Sequence, residues 1–86
     1  MSRASLASPQ YDPLTGVYSR QMLRQWLPEG IDNALRNHYA MTLMMLDIDY
    51  FKSINDAFGH TRGDQTLTEF ARRLQSLLRA SDMVFR

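Results

Sequence analysis

Residues 46–56 read LDIDYFKSIND, and the pairs Gly59-His60 and Gly63-Asp64 follow shortly afterwards. The apolar run that precedes this stretch stops abruptly at Asp-x-Asp. Between residues 47 and 64 the chain carries four Asp, one Lys, one Asn, one His and two Gly. Hard divalent cations prefer carboxylate oxygens, and such cations commonly hold nucleotide phosphates. The pattern therefore predicts a strand end that binds a metal and a phosphate.

The composition limits the classes of protein to be considered. A chain of 86 residues allows one small domain at most, and a hydrophobic content of 44% argues against disorder. The net charge of +1 gives no reason to expect a nucleic acid polymer or a membrane surface as partner. Cysteine is absent, which excludes a disulfide framework, a zinc-thiolate site and a thiol nucleophile.

The N-terminal segment shows no sign of targeting. Residues 1–10 are rich in Ser and Ala without any period, and they lack the apolar centre of a signal peptide. We interpret them as a disordered leader or linker that precedes a domain at residues 11–86. No apolar run approaches the roughly 20 residues that span a bilayer. A cytoplasmic location is therefore expected, although a longer parent protein could be anchored in a membrane by upstream segments.

Hydrophobic periodicity predicts two long helices and a short one. The first helix is expected to begin near Ser19 and to reach about His38, with an interruption at Pro28 and Gly30. A short helix at residues 49–58 should stop at Gly59. The third helix should begin between residues 61 and 64, where Thr61-x-x-Asp64 resembles a capping box. Its apolar stripe comprises Leu67, Phe70, Ala71, Leu74, Leu77 and Leu78.

Two strands complete the predicted order helix–strand–helix–helix–strand, which is an α/β arrangement. Residues 40–46 are nearly all apolar without alternation, which is typical of a strand that is buried on both faces. Residues 83–85 have the pattern of a second strand opening. Phe51, Ile54 and Phe58 of the short helix are expected to join the core.

The acidic pair Asp47 and Asp49 is open to two interpretations. If the strand continued, both carboxylates would lie on one face and could bind one divalent cation. If the chain turns helical after Asp47, then Asp49 is only a helix cap and Asp47 alone stays at the strand end. An EF-hand is excluded, because Lys52 stands where that loop requires glycine.

The remaining polar residues also have ordinary alternatives. Asn55 and Asp64 match the hydrogen-bonding edge of guanine, but from spacing alone a surface amide and a helix cap are the better explanation. Lys52 could pair with a phosphate or be a solvated helix residue, and His60 is a residue of a turn. Arg79 and Asp82 form Arg-x-x-Asp, which by pattern alone is a helix end followed by a loop acid.

Three motifs in the correct order resemble the GGDEF family, the catalytic domains of diguanylate cyclases. Residues 12–20, DPLTGVYSR, resemble D-x-L-T-G-L-x-N-R with mild departures at Val17 and Ser19. Residues 47–56 resemble D-x-D-x-F-K-x-x-N-D, and residues 59–64 resemble G-H-x-x-G-D. The resemblance covers nearly all of residues 12–86 and implies an incomplete palm-like fold of the α/β (α+β) class.

The resemblance implies a role for the candidate residues in joining two GTP into cyclic di-GMP. Asp47 and the backbone carbonyl of Ile48 would bind Mg²⁺ (or Mn²⁺), with Asp47 and Lys52 as the catalytic residues. The phosphates would lie near the backbone amides of Tyr50 and Phe51, and Lys52 would help to neutralise their charge. Guanine would be recognised by Asn55 and Asp64. Arg79 and Asp82 would form the inhibitory site for the product, cyclic di-GMP.

The sequence departs from the family in one large respect, because it contains no GG[DE]EF motif. We interpret it as an N-terminal part of the domain, truncated at Arg86 and inactive alone. Without the strand that follows that motif, the strand at 41–46 would have unpaired edges and incomplete burial. The parent would act as a homodimer and have an upstream sensor domain. The alternatives are a degenerate module that binds GTP or cyclic di-GMP without turnover, and a fragment that only dimerises.

Overall fold

The computed structural model describes residues 10–86, which form three helices. Helix α1 spans Arg20–Asn37, α2 spans Phe51–Phe58 and α3 spans His60–Leu77. The three predicted helices are thus confirmed. The predicted leader at residues 1–10 lies outside the described residues, apart from Gln10. None of the three helices is long and apolar enough to cross a bilayer.

Helix α1 begins where the sequence predicts and runs without a break. The Ser19 hydroxyl accepts a hydrogen bond from the Met22 amide at 3.1 Å, as an N-cap does. The predicted interruption is wrong, since Pro28 lies inside the helix. Gly30 is buried in the same helix, and a side chain there would come within 2.7 Å of the Trp26 ring. Gly30 therefore makes room for an indole instead of ending the helix.

Helices α2 and α3 form a tight corner joined by Gly59 alone. Gly59 has φ of +88°, a value that costs little only for glycine, and its amide donates to the Asn55 carbonyl at 2.8 Å. The predicted stop at Gly59 is confirmed. Helix α3 already begins at His60, so the predicted capping box at Thr61 and Asp64 is not its N-terminus.

The predicted strand at residues 40–46 is not formed, and the segment 39–48 has no regular structure. The side chains of residues 39–47 are exposed, with 70% of Met44 and 94% of Met45 open to solvent. A strand obtains its backbone hydrogen bonds from a neighbouring strand, whereas a helix makes its own. No segment within residues 10–86 pairs with this run, so its hydrophobicity alone does not make it a strand.

The second predicted strand, at residues 83–85, is reduced to a single parallel bridge between Tyr18 and Phe85. The Tyr18 amide donates to the Val84 carbonyl at 3.0 Å, and the Arg86 amide donates to the Tyr18 carbonyl at 2.8 Å. The described residues therefore contain the helical part of the α/β prediction and no strand. These two bonds bring the end of the described chain next to its beginning.

The core lies where this bridge meets α1, and it is small. Beside it runs a row of partly exposed aromatic rings, with centroids 5.3 to 6.0 Å apart, formed by Tyr11, Tyr18, Phe85 and Trp26. The buried apolar side chains are Val17, Ala34 and Ala71. Three residues of α2 were expected to join the core, and two of them, Phe51 and Ile54, are half-buried. Phe58 is 68% exposed, which contradicts its assignment to the core.

Candidate functional site

The α2–α3 corner, residues 55–64, brings together two of the predicted site residues. Asn55 lies in the last half of α2, and its side-chain amide packs against Gly63 in the first turns of α3. Asp64 is the next residue of α3 and is exposed. No hydrogen bond or ion pair within residues 10–86 involves the side chain of Asn55 or Asp64. The corner therefore offers an amide and, one residue after the glycine that this amide contacts, a carboxylate, and neither is engaged by another described residue.

Asp47 and Ile48 lie just before α2, in the irregular segment. Asp47 is exposed, and the Ile48 carbonyl accepts a hydrogen bond from the Phe51 amide at 3.3 Å. A carboxylate and a carbonyl are the hard oxygen donors that Mg²⁺ and Mn²⁺ prefer. In the described part of the chain, no three acidic or histidine side chains are grouped so that they could hold a metal ion by themselves. The donors fit such a cation in kind, and Mg²⁺ commonly takes its other ligands from water and phosphate.

The start of α2 differs from the expected geometry of an Asp cap. The N-cap is Tyr50 in the left-handed conformation, with φ of +61°, and no side chain caps the helix. The interpretation of Asp49 as the cap is therefore wrong. The prediction that Asp47 and Asp49 lie on one face required a strand that continues to Asp49. The chain turns at Asp49 instead, so this arrangement is not formed.

Lys52 occupies the first turn of α2 and is exposed. Its ammonium group has no carboxylate within ion-pair distance among residues 10–86. A positive charge near a helix N-terminus opposes the helix dipole, and an anion placed there would be attracted by both. The electrostatics around Lys52 thus favour a negatively charged ligand.

Arg79 and Asp82 are joined by a turn in which the Asp82 side chain takes part and the Arg79 side chain does not. The Asp82 carboxylate accepts from the Arg79 amide at 2.9 Å, and the Asp82 amide donates to the Arg79 carbonyl at 3.0 Å. The Arg79 guanidinium has no partner among the described residues. A groove of about 330 Å³ lies beside the turn, with Tyr11 and Tyr18 in its wall.

A further group of polar residues, which the sequence did not suggest, fastens the two ends of the described chain. We call Asp12, Thr15 and Arg86 the clamp. The Asp12 carboxylate accepts from the Thr15 amide at 2.9 Å, from the Thr15 hydroxyl at 2.7 Å and from Arg86 Nη1 at 3.0 Å. Burial opposes ionisation of Asp12, but the Thr15 hydrogen bonds and the Arg86 charge outweigh it and lower its pKa. The signal for Arg86 is absent from the local sequence, since 74 residues separate it from Asp12.

One exposed ion-pair cluster belongs to the surface of α3 and not to the site. Glu69 contacts Arg72 at 2.5 Å and Arg73 at 2.6 Å. Hydrogen bonds from Arg72 first, and from Arg73, lower the pKa of Glu69 to about 2. These three residues follow helical spacing and are solvated, so they support the helix and carry no sign of a ligand.

Comparison with known proteins connects this arrangement to one family. The sequence model described as "Diguanylate cyclase, GGDEF domain" matches residues 9–86. The chain is 44% identical over 75 residues to the probable diguanylate cyclase DgcC of Escherichia coli K12. It is 42% identical over 72 residues to the response regulator PleD of Caulobacter vibrioides, and 39% identical over 77 residues to the cyclic di-GMP phosphodiesterase NbdA of Pseudomonas aeruginosa.

These alignments cover most of this chain but little of each relative. They include 87, 84 and 90% of the chain, which spans 20, 16 and 10% of DgcC, PleD and NbdA respectively. The match to the family, in contrast, extends over nearly all of the chain and contains all three motifs. The chain therefore belongs to the GGDEF domain family.

Proposed function

We propose that these residues are the N-terminal part of a diguanylate cyclase domain, which joins two GTP into cyclic di-GMP. The observation that carries the proposal is the α2–α3 corner, where the Asn55 amide of α2 contacts Gly63 of α3 and the exposed Asp64 follows Gly63 in that helix. Neither side chain has a hydrogen-bond partner among residues 10–86. Guanine offers N1–H and N2–H₂ donors beside the O6 acceptor. A carboxylate can accept from the donors while an amide donates to O6.

The proposed reaction forms two phosphodiester bonds. In each, the 3′-hydroxyl of one GTP attacks the α-phosphorus of the other and pyrophosphate leaves. A divalent cation bound there would favour ionisation of the hydroxyl and offset charge on the α-phosphate. We assign its protein ligands to the Asp47 carboxylate and the Ile48 carbonyl. Two domains must face each other, so the active form is a homodimer.

The phosphates are assigned to the start of α2. Lys52 supplies a point charge for them, and the backbone amides at Tyr50 and Phe51 supply hydrogen-bond donors. Two observations support this assignment: Lys52 has no ion-pair partner among residues 10–86, and it lies in the first turn of α2. The Phe51 amide would have to release its 3.3 Å bond to Ile48, which is long and therefore weak.

We also propose that the whole domain has a palm-like α/β fold and that an upstream sensor domain regulates it. The exposed apolar run at 41–46 has the composition of a central strand and would become one when another strand pairs with it. A sensor domain upstream would control the approach of two cyclase domains. We also propose a cytoplasmic location for the domain, where GTP would be available as its substrate.

The test is to incubate the protein in its full natural length with GTP and Mg²⁺ and to measure cyclic di-GMP by chromatography. Asp47→Asn should reduce the rate at least 100-fold, because one metal ligand loses its charge, while the melting temperature stays the same. Asp32→Asn, an exposed acid of α1, is the control and should leave the rate unchanged. Residues 1–86 alone should give no product.

Two results would contradict the proposal. Full activity of Asp47→Asn would show that the Asp47 carboxylate is not the metal ligand. Tight binding of GTP without any product from the full-length wild type would favour the alternative of a nucleotide-sensing domain.

A further inference from the structure

The two glycines of the α2–α3 corner do different things. Gly59 has a positive φ, and nothing lies within 4 Å of the position its Cβ would take. Gly63 lies inside α3, where glycine is a worse helix former than alanine. A glycine in that position therefore needs a reason other than backbone conformation.

The reason is the close approach of α2. A Cβ at Gly63 would overlap Oδ1 of Asn55 and lie 2.7 Å from its Cγ and 3.3 Å from its Nδ2. Gly63 is buried, and Asn55 is half-buried with a side-chain amide that has no hydrogen-bond partner among residues 10–86. The bare backbone of Gly63 is thus the surface on which the Asn55 amide rests.

We propose that Gly63 is a positioning residue for base recognition, because it provides the seat that fixes the Asn55 amide against the turn of α3 that carries Asp64. The inference rests on the proposed function, in which these two side chains bind guanine. Any side chain at position 63 would push the amide out of its place by roughly the width of a methyl group. Two groups that must meet one planar base edge tolerate little displacement, since misplacement of about 1 Å can cost a large factor.

The expected phenotype of Gly63→Ala is a loss of guanine recognition that depends on Asn55. A guanosine triphosphate analogue with a methylene group between the α- and β-phosphates serves as the probe, and its adenosine counterpart tests base preference. In the full-length protein Gly63→Ala should weaken binding of the guanosine probe at least fivefold and reduce its preference over the adenosine probe. In the Asn55→Ala background the same change should matter less than twofold.

Gly30→Ala is the matched control. It also adds a methyl group to a buried helical glycine that contacts a neighbouring side chain, here Trp26, but it lies in α1. It should change binding of the guanosine probe less than twofold. Unchanged binding by Gly63→Ala, or equal losses in the presence and absence of the Asn55 side chain, would overturn the proposal.

Thermal melting of the same variants tests the seat without any nucleotide. In the Asn55→Ala background Gly63→Ala should raise the melting temperature, because alanine favours the helix and the overlapping amide is gone. When Asn55 is present, Gly63→Ala should lower the melting temperature or leave it unchanged. If Gly63→Ala alone fails to fold, restored folding in the double variant would support the seat. A double variant that also fails to fold would overturn it. If the wild type does not bind the guanosine probe, this would count against the proposed function. The melting comparison would still show whether Asn55 rests on Gly63.

Discussion

The clamp and the candidate nucleotide site use the same kinds of side chain in opposite ways. The Asp12 carboxylate accepts hydrogen bonds from Thr15 and Arg86, and only 12% of the Asp12 side chain is exposed. Asp47 and Asp64 are exposed and have no side-chain partner among residues 10–86. A carboxylate that is satisfied internally stabilises the fold, whereas one that is left open can bind a ligand.

This difference separates two motifs that look alike in the sequence. The DPLTG segment at residues 12–16 and the DIDYFKSIND segment at 47–56 both start with an Asp that precedes a turn. The first closes on itself and on Arg86, while the second presents Asp47 and Lys52 to solvent. Substitutions in the clamp should therefore alter stability, and substitutions in the site should alter activity.

The largest effect on stability is expected for Asp12→Ala. It leaves the Thr15 donors and the Arg86 guanidinium without their acceptor, so the free energy of unfolding should fall by about 2 kcal/mol. Urea denaturation measures this change. Asp32→Ala is the control, because its ion pair with Arg36 at 3.4 Å is exposed and worth about 0.5 kcal/mol or less. Equal losses in the two variants would mean that the clamp is no stronger than a surface ion pair.

A smaller effect should follow acidification. The pKa of Asp12 is lowered in the folded state, so its contribution is complete above the unfolded pKa of about 3.9 and is lost as the pH falls through the lower folded value. The difference in unfolding free energy between wild type and Asp12→Ala should therefore shrink below about pH 3.9. Glu69 titrates in both proteins and cancels in this difference. A difference that stays constant down to pH 2.5 would contradict the role of the Asp12 charge.

The smallest effect on stability is expected for Arg79→Ala. The turn at residues 79–82 is held by the Arg79 backbone and Asp82, so truncating the side chain should change the free energy of unfolding by less than about 0.5 kcal/mol. The free guanidinium is instead the part that an inhibitory nucleotide would contact. In the full-length protein the concentration of cyclic di-GMP that halves the rate should rise at least tenfold. Unchanged inhibition would remove Arg79 from the product site.

Local sequence patterns predicted the helices well because a helix completes its own hydrogen bonds. The Ser19 cap and the stop at Gly59 were both visible in the sequence. The break expected at Pro28 was wrong, since α1 continues through Pro28 and Gly30 to Asn37. The core assignment of Phe58 also failed, since amphipathic spacing identifies a face but not what lies against it.

The strands show the limit of the same approach. Residues 40–46 have a typical buried-strand composition, yet the structure leaves them irregular and exposed. At residues 83–85 the chain makes one bridge to Tyr18 where a full strand was expected. Strand formation depends on a second segment at a distance of about 5 Å, and no property of the run itself supplies that segment.

The family, the three helices and the residues that are candidates for binding metal, phosphate and guanine can be identified from the sequence, because short motifs and helical periods are local properties. Which polar residues already have partners depends instead on the three-dimensional fold. The fold joins Asp12 to Arg86, which is 74 positions further along the chain, and brings Asn55 against Gly63. Both contacts depend on how the chain folds back on itself, and hydrogen bonds and steric exclusion act over a few ångströms in space irrespective of distance along the chain.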